Sequence, residues 1–311
     1  MTGIVVVTYE SASEVGACLD AALRLTREIV VVDNASRDHT REEVARRGVR
    51  LIANPRNLGF AAAANQGIRA LSTPFIVLLN PDAVIQAGIE ALERACELPH
   101  TAGAGGKLLG ADGRPQVGFM VRRLPTATAL SFEALLVNRL WRSNPVNWKY
   151  RCLGMNVNLP QPVEQPAGAF LMVRRDAWEA LGGFDEGFYP LWFEDVDFCK
   201  RARDRGWELR YVPEAVAKHT GGHSLNNLQV EQRPLYWYRS LLGYAARHFR
   251  PWQRRGVCAA VLAGALLRLP AMLWKASPEE AAVYGKVARL AVRVFFGGRD
   301  VLQFPDVAAR V

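Results

Sequence analysis

Short apolar runs alternate with helix-patterned segments through the first third of the chain, and this alternation restricts the fold more than any single residue does. Ile4–Thr8 precedes a helical stretch from Ser13 to Arg27, and Ile29–Asp33 precedes a helix near His39–Arg47. Val49–Ala53 precedes one near Gly59–Leu71, and Phe75–Leu79 precedes one near Ala87–Leu98. Strands separated by helices pair in parallel through right-handed crossovers, so an α/β fold with a mostly parallel sheet flanked by helices is expected. A strand pattern returns at Ala169–Val173 and Glu208–Val212, with helices from Asp176 and from about Glu194 to Arg205. Ala111-Asp112-Gly113-Arg114-Pro115 reads as a hairpin turn. The stretch 125–158, with Trp141, Trp148 and Tyr150, fits neither period and reads as a mobile or acceptor-facing insert. With 311 residues, half of them hydrophobic, the chain can bury one main α/β domain and carry an appendage.

Three aspartates stand where buried elements end or begin. Asp33 ends Ile29-Val30-Val31-Val32, Asp82 follows Phe75–Leu79 through Asn80-Pro81, and Asp195 opens the helix after Trp192-Phe193-Glu194. Carboxylates at strand ends gather at the ligand crevice of an open α/β sheet. The first strand runs into Thr8-Tyr9-Glu10-Ser11 without a glycine-rich loop, which excludes a P-loop or a dinucleotide fingerprint there. Asp33 can accept from a base N–H or a ribose hydroxyl, or close an Asx turn before the next helix. Asn57-Leu58-Gly59-Phe60 and the alanines up to Asn65 leave a helix start without bulk, open to a ligand or to a close strand. Asp82 offers oxygen to a hard divalent cation, and His219 in Lys218-His219-Thr220-Gly221-Gly222-His223-Ser224 is either a further ligand or a packing residue, with His223 the weaker candidate. Glu194, Asp195 and Asp197 suit a helix N-terminus electrostatically, and one of them can serve as a general base. An ordinary aspartate titrates at about 3.9 and a helix start lowers that further, unless crowded acids or phosphates raise it.

The net charge is +9, and residues 234–311 hold twelve basic against four acidic side chains, which is +8 of it. These basic residues alternate with apolar runs such as Val257–Leu267, a pattern that fits an anionic membrane surface better than nucleic acid. The run Val257–Trp274 contains Arg268 and Pro270 and is shorter than the roughly 20 apolar residues of a bilayer span. Cys18, Cys96, Cys152, Cys199 and Cys258 form no CxxC pair, so neither a disulfide framework nor a zinc site is indicated. No basic segment precedes the apolar run at Ile4, and a cytoplasmic protein is expected, its basic tail either peripheral on the inner face of the membrane or a helical subdomain with a solvated basic face.

Taken in order, several segments resemble an inverting family 2 glycosyltransferase of GT-A fold, of the rhamnosyltransferase-like branch. They are Ile4 to Ser11, Val30 to Ser36, Asn57 to Gly67, Leu78 to Asp82, Gly168 to Arg175, Gly183 to Glu186, Glu194 to Asp197 and His219 to Ser224. The resemblance covers roughly residues 1–225 and not the tail. It implies a catalytic domain over 1–228, with a nucleotide-sugar half at 1–110 and an acceptor half at 111–228, followed by a basic, apolar helical region at 229–311.

By this resemblance, Thr8, Tyr9 and Asp33 would hold the nucleoside, and Asn57, Gly59, Asn65 and Asn80 would line the donor pocket. Asp82 and His219 would bind Mg2+ or Mn2+ on the diphosphate, and Asp195 would be the base. Glu194, Asp197 and Gly168 would be supporting or acceptor contacts. The acidic motif after the third strand of the family usually begins with aspartate, and Asn80 stands there instead. The implied substrates are a nucleoside diphosphate sugar, with dTDP-rhamnose the branch's suggestion, and a glycan or lipid-linked acceptor of the cell envelope. A sugar nucleotidyltransferase and a non-catalytic sugar-nucleotide scaffold are the alternatives. The missing phosphate loop counts against the first and the complete carboxylate set against the second.

Overall fold

A computed structural model describes residues 1–221, 232–274 and 278–298. His223, Lys275, Arg299, Arg310 and the expected boundary at residue 228 lie outside the described residues. The chain divides into two compact units. The first takes in residues 1–124, 151–186 and the described residues from 194 to 221, and the second takes in 125–150, 187–193 and the described residues from 232 onward.

In the first unit β1 (Thr2–Thr8), β2 (Ile29–Asp33), β3 (Arg50–Ala53) and β4 (Phe75–Leu79) pair in parallel in the order β3-β2-β1-β4. Between them run α1 (Val15–Ala22), α2 (Thr40–Ala45) and α3 (Phe60–Arg69). After β4 come β5 (Ala83–Ala87), α4 (Ile89–Glu97) and β6 (Thr101–Leu109). The short β7 (Val121–Arg122), β8 (Gln161–Val163) and β9 (Gln165–Pro166) lead to β10 (Phe170–Arg174), α8 (Arg175–Ala180), α9 (Glu194–Asp204) and β11 (Glu208–His219). The sheet continues from β4 through β10, β6 and β11 to β5, with β8 beside β11 and β7 paired to β9 separately. β10 enters antiparallel between β4 and β6, whereas β11 runs parallel to β6. Two reversals restore the direction, so β1, β2, β4, β6 and β11 all end at one edge.

The period of two along each strand divides the core between two faces. Ile4, Val6, Ile29, Val31, Val77 and Leu79 meet Val15, Leu19 and Ala22 of α1 and Ile89, Leu92 and Cys96 of α4. Val5, Val30, Val32, Ile76 and Leu78 meet Ala61, Ala64 and Ile68 of α3, Trp178 of α8 and Phe198 of α9. Each Val, Ile or Leu so buried contributes about 1.5–3 kcal/mol. The alanines of α3 therefore serve close helix-to-sheet packing.

The second unit is helical. It holds α5 (Ala127–Ala134), α6 (Val137–Leu140) and α7 (Pro145–Tyr150), and the helices Arg233–His248, Pro251–Trp274 and Pro278–Phe295. The second of these three continues through Pro270. Arg268, one of the basic residues that the charge pattern assigns to a membrane face, turns into this unit instead. It donates to the carbonyls of Ala134 and Gly264 at 2.8 and 2.7 Å and lies over the rings of Tyr238 and Tyr284. No helix among the described residues is long and apolar enough to cross a membrane.

Candidate active site

The three aspartates share the carboxyl edge of the first unit's sheet. Asp33 closes β2 in register with Thr8, the last residue of β1. Its buried carboxylate accepts from Thr8 Oγ1 at 3.0 Å, from the Ser36 backbone N–H at 3.0 Å and from the Ser36 hydroxyl, and it pairs with Arg41 Nε at 2.7 Å. Thr8 and Asp33 are thus joined, and the turn bond to Ser36 N–H coexists with their place at the crevice. Tyr9 stands half-buried immediately beyond Thr8.

The loop before α3 is held to the same edge by amides. Asn34 Nδ2 donates to the Gly59 carbonyl at 3.1 Å, Asn54 Nδ2 donates to Asn34 Oδ1 at 3.0 Å, and Asn54 and Gln66 exchange hydrogen bonds at 3.0 and 3.1 Å. Asn57 Oδ1 accepts from Gly59 N–H at 2.8 Å. Gly59 has φ +86° and ψ 162°, a conformation that a Cβ would strain, and this is why the position needs glycine. Asn65 turns the other way. Its Nδ2 donates to the Phe184 carbonyl at 2.8 Å and to Glu186 Oε1 at 2.9 Å, and its Oδ1 accepts from Phe184 N–H at 2.9 Å. The amide that was expected in the donor pocket is occupied with clasping the Gly183–Glu186 turn onto α3.

Asn80 continues β4, its N–H donating to the Ala169 carbonyl at 3.0 Å, and Asp82 follows just before β5. Antiparallel pairing sets Ala83 beside His219, the last residue of β11. His219 Nε2 lies 3.5 Å from Asp82 Oδ1, and that buried oxygen has no hydrogen-bond partner among the described residues. The other ring nitrogen, Nδ1, is 3.0 Å from Gln116 Oε1, and Gln116 Nε2 donates to the His219 carbonyl at 2.9 Å. Phe119 stacks on the imidazole with centroids 5.2 Å apart. Burial holds the His219 pKa below its ordinary value, against the opposing pull of the Asp82 charge. A neutral imidazole and an orphaned carboxylate oxygen facing each other fit a divalent cation. Among the described residues no third His, Cys, Asp or Glu completes a cluster around them.

Asp195 lies in the first turn of α9, half-buried. Gly168 N–H and Gln165 Nε2 donate to its Oδ2 at 3.1 and 3.0 Å, and Val196 N–H donates to its Oδ1 at 2.8 Å. Gly168 leaves little room for more, since a Cβ there would lie 3.3 Å from that of Asp195. Because β10 is antiparallel to β4, the residues just before Phe170 return to the edge where β4 ends, which brings Asp195 to the edge of Asp33 and Asp82. Burial raises the Asp195 pKa, although the Gly168 and Val196 bonds, the Arg122 charge and the Gln165 bond all oppose it. The helix start was expected to weaken this group as a base, and desolvation outweighs it. Glu194 is pushed up much further, by burial and then by the charges of Asp195 and Asp197, and its Oε2 has no partner among the described residues. Asp197 is buried and pairs with Arg201 Nε at 2.7 Å. Of the three acids, Asp195 is the one oriented by three donors, with burial raising its pKa.

A cleft of about 530 Å³ lined by Phe75, Cys96, Arg174 and Arg175 lies at the opposite edge, where β4 begins and β10 ends. The sequence pattern did not single out Gln116, Gln165, Ser36 or Arg41. Gln116 is 103 positions from His219, and no local spacing signals that contact.

Comparison with known proteins bears on the family and the fold. The N-acetylglucosaminyl-diphospho-decaprenol L-rhamnosyltransferase of Mycobacterium tuberculosis is 30% identical over 268 residues, covering 80% of this chain and 86% of that protein. Among solved structures, a mannosyltransferase from Pyrobaculum calidifontis in complex with GDP-Man and Mn2+ superposes with TM-score 0.53 at 18% identity, covering 97% of this chain and 84% of that one. GalNAc-T7 with UDP, GalNAc and Mn2+ superposes with TM-score 0.54 at 16% identity, over 79% of this chain and half of that one. These two likenesses bear on the fold, which is GT-A. The profile of the family described as "Glycosyl transferase family 2" matches residues 3–181, more than half of the chain, and together with the Mycobacterium relative it makes this protein a family 2 glycosyltransferase.

Proposed function

We propose that this glycosyltransferase moves a sugar, rhamnose being the choice that its 30% identical relative supports, from a nucleoside diphosphate donor to a hydroxyl of a glycan or lipid-linked acceptor, with inversion. On this reading residues 1–228 form the catalytic domain. Thr8, Tyr9 and Asp33 hold the nucleoside, and Asn57, Gly59 and Asn80 border the donor. Asp82 and His219 hold Mg2+ or Mn2+, which supplies charge neutralisation for the departing diphosphate. Asp195 takes the proton of the acceptor hydroxyl as that oxygen attacks the anomeric carbon, and the bond to the diphosphate oxygen breaks in the same displacement. The pairing of Asp195 with Gly168, Val196 and Gln165 fixes its direction, and burial gives it more basicity than an ordinary aspartate. That combination is the observation that carries the proposal.

The donor site works from the cytoplasmic side in this reading, with the acceptor presented at the inner face of the membrane. The basic tail and the diphospho-decaprenol in the relative's name support it. A screen of nucleoside diphosphate sugars, reading nucleoside diphosphate release with Mn2+, with Mg2+ and with chelator, tests the whole. Asp195→Asn should cut turnover by about 10²–10⁴-fold while donor binding persists. Near-normal turnover in that variant removes Asp195 as the base, and full activity in chelator removes the role given to Asp82 and His219.

A further inference from the structure

The amide of Gln116 touches His219 twice, and the two contacts together determine which imidazole nitrogen carries the hydrogen. The His219 carbonyl can only accept, so the amide group 2.9 Å from it must be the Nε2 donor. That orientation leaves Oε1, an acceptor, facing Nδ1 at 3.0 Å. Nδ1 must therefore donate, and in the neutral ring Nε2 is then the bare nitrogen. This bare nitrogen is the one that faces the unpartnered Asp82 Oδ1 at 3.5 Å. Two acceptors with no hydrogen between them repel unless a cation lies with them. Phe119, stacked 11° from parallel with the ring, restricts its rotation.

We propose that Gln116 is a positioning residue that sets the tautomer and orientation of His219 and thereby presents Nε2, beside Asp82, to a divalent cation. The inference rests on the metal site of the proposed function and adds the group that assembles it. A metal-bound imidazole is ordinarily oriented by a hydrogen bond from its other nitrogen, and loss of such a partner costs about 10- to 100-fold in metal affinity. Here the orienting group is a neutral side-chain amide that is itself anchored on the histidine's own backbone.

Two measurements on the full chain test this. In the first, a long-range 1H–15N spectrum of histidine-labelled, metal-free protein, assigned with His219→Asn, should show His219 protonated at Nδ1 and bare at Nε2; the opposite tautomer overturns the proposal. In the second, Mn2+ is titrated by electron paramagnetic resonance at saturating UDP, and again with dTDP. Gln116→Leu should weaken Mn2+ by about 10- to 100-fold, with nucleotide binding in chelator and the melting curve little changed. Gln116→Glu keeps an acceptor for Nδ1–H and should stay closer to wild type than Gln116→Leu. Loss of affinity in His219→Ala but not in Gln116→Leu overturns the role of Gln116 alone. Unchanged affinity in both variants overturns the metal site and the proposal with it, whereas the tautomer spectrum of Gln116→Leu still tests separately whether Gln116 sets the ring.

Discussion

At the scale of the residue, adjacent acids in one helical turn receive different electrostatic assignments. Asp195 has three donors and Glu194 Oε2 has none, so the pair holds a proton most readily on Glu194. The sign of the resulting pH dependence follows from linkage. The folded Glu194 pKa is raised, whereas in the unfolded chain it is about 4.3, so above that value the folded state binds a proton that the unfolded state releases. Stability therefore falls as pH rises from the unfolded value through the raised folded one, and below about 4.3 the group contributes no difference. Glu194→Gln should raise Tm at pH 8, by roughly 2–4 °C for each kcal/mol relieved, and the gain should shrink towards zero near pH 4. Thermal scans of both proteins across that range check it, and a gain independent of pH would show that the group is not the proton holder. The shared edge of Asp33, Asp82 and Asp195 was legible because each stands at an element end. The resemblance separated Asp195 from Glu194, but the pattern of helix-start acids did not show the electrostatic reason, which needs Gly168 and Gln165 placed in space.

The elements show what pattern conveys and what it leaves out. The parallel half was readable because β1, β2 and β4 are rich in branched residues and are separated by helical segments. β6 was not, because its central Gly103-Ala104-Gly105-Gly106 has no strand-like side chains; the ring of Phe170 occupies the space above Gly106. The last residues of β11 and all of β5 were missed for a related reason, since their pairing places His219 beside Ala83 across a long sequence separation. The segment containing Gln116, Phe119 and Arg122 links both halves of the site. Gln116 and Phe119 hold His219, while Arg122 lies over Phe119 and lends its charge to Asp195. Asn65 is likewise an element-scale device, joining α3 to the Gly183–Glu186 turn. Asn65→Ala leaves the Phe184 N–H and C=O without partners, at about 1–3 kcal/mol for each buried group, and a lower denaturation midpoint is expected with donor affinity kept. A variant of unchanged stability that no longer binds donor would instead return Asn65 to the donor pocket.

For the molecule as a whole, charge and apolar exposure in the second unit bear on where its acceptor is met. Leu140, Trp141, Trp148, Trp252, Leu266, Leu267 and Phe296 are exposed there, as are Arg250, Arg255, Lys286, Arg289 and Arg293. Arg268 is excluded from that surface by its bonds to Ala134 and Gly264, so the net positive charge of the tail overstates what can reach a membrane. Each exposed basic residue near an anionic surface contributes about 1 kcal/mol, and the contribution fades beyond a Debye length of roughly 10 Å at 0.1 M salt. Apolar insertion is far less sensitive to salt. Flotation with liposomes containing phosphatidylserine separates the two contributions. We expect the protein to float with anionic vesicles at low salt, to be released at high salt, and to float poorly with neutral vesicles. The double substitution Lys286→Glu and Arg289→Glu should weaken flotation at low salt without lowering donor turnover on a soluble acceptor. Protein that stays wholly in the soluble fraction at low salt would confine the basic tail to the packing and solvation of the second unit, and a lipid-linked acceptor would then have to be delivered by some other surface.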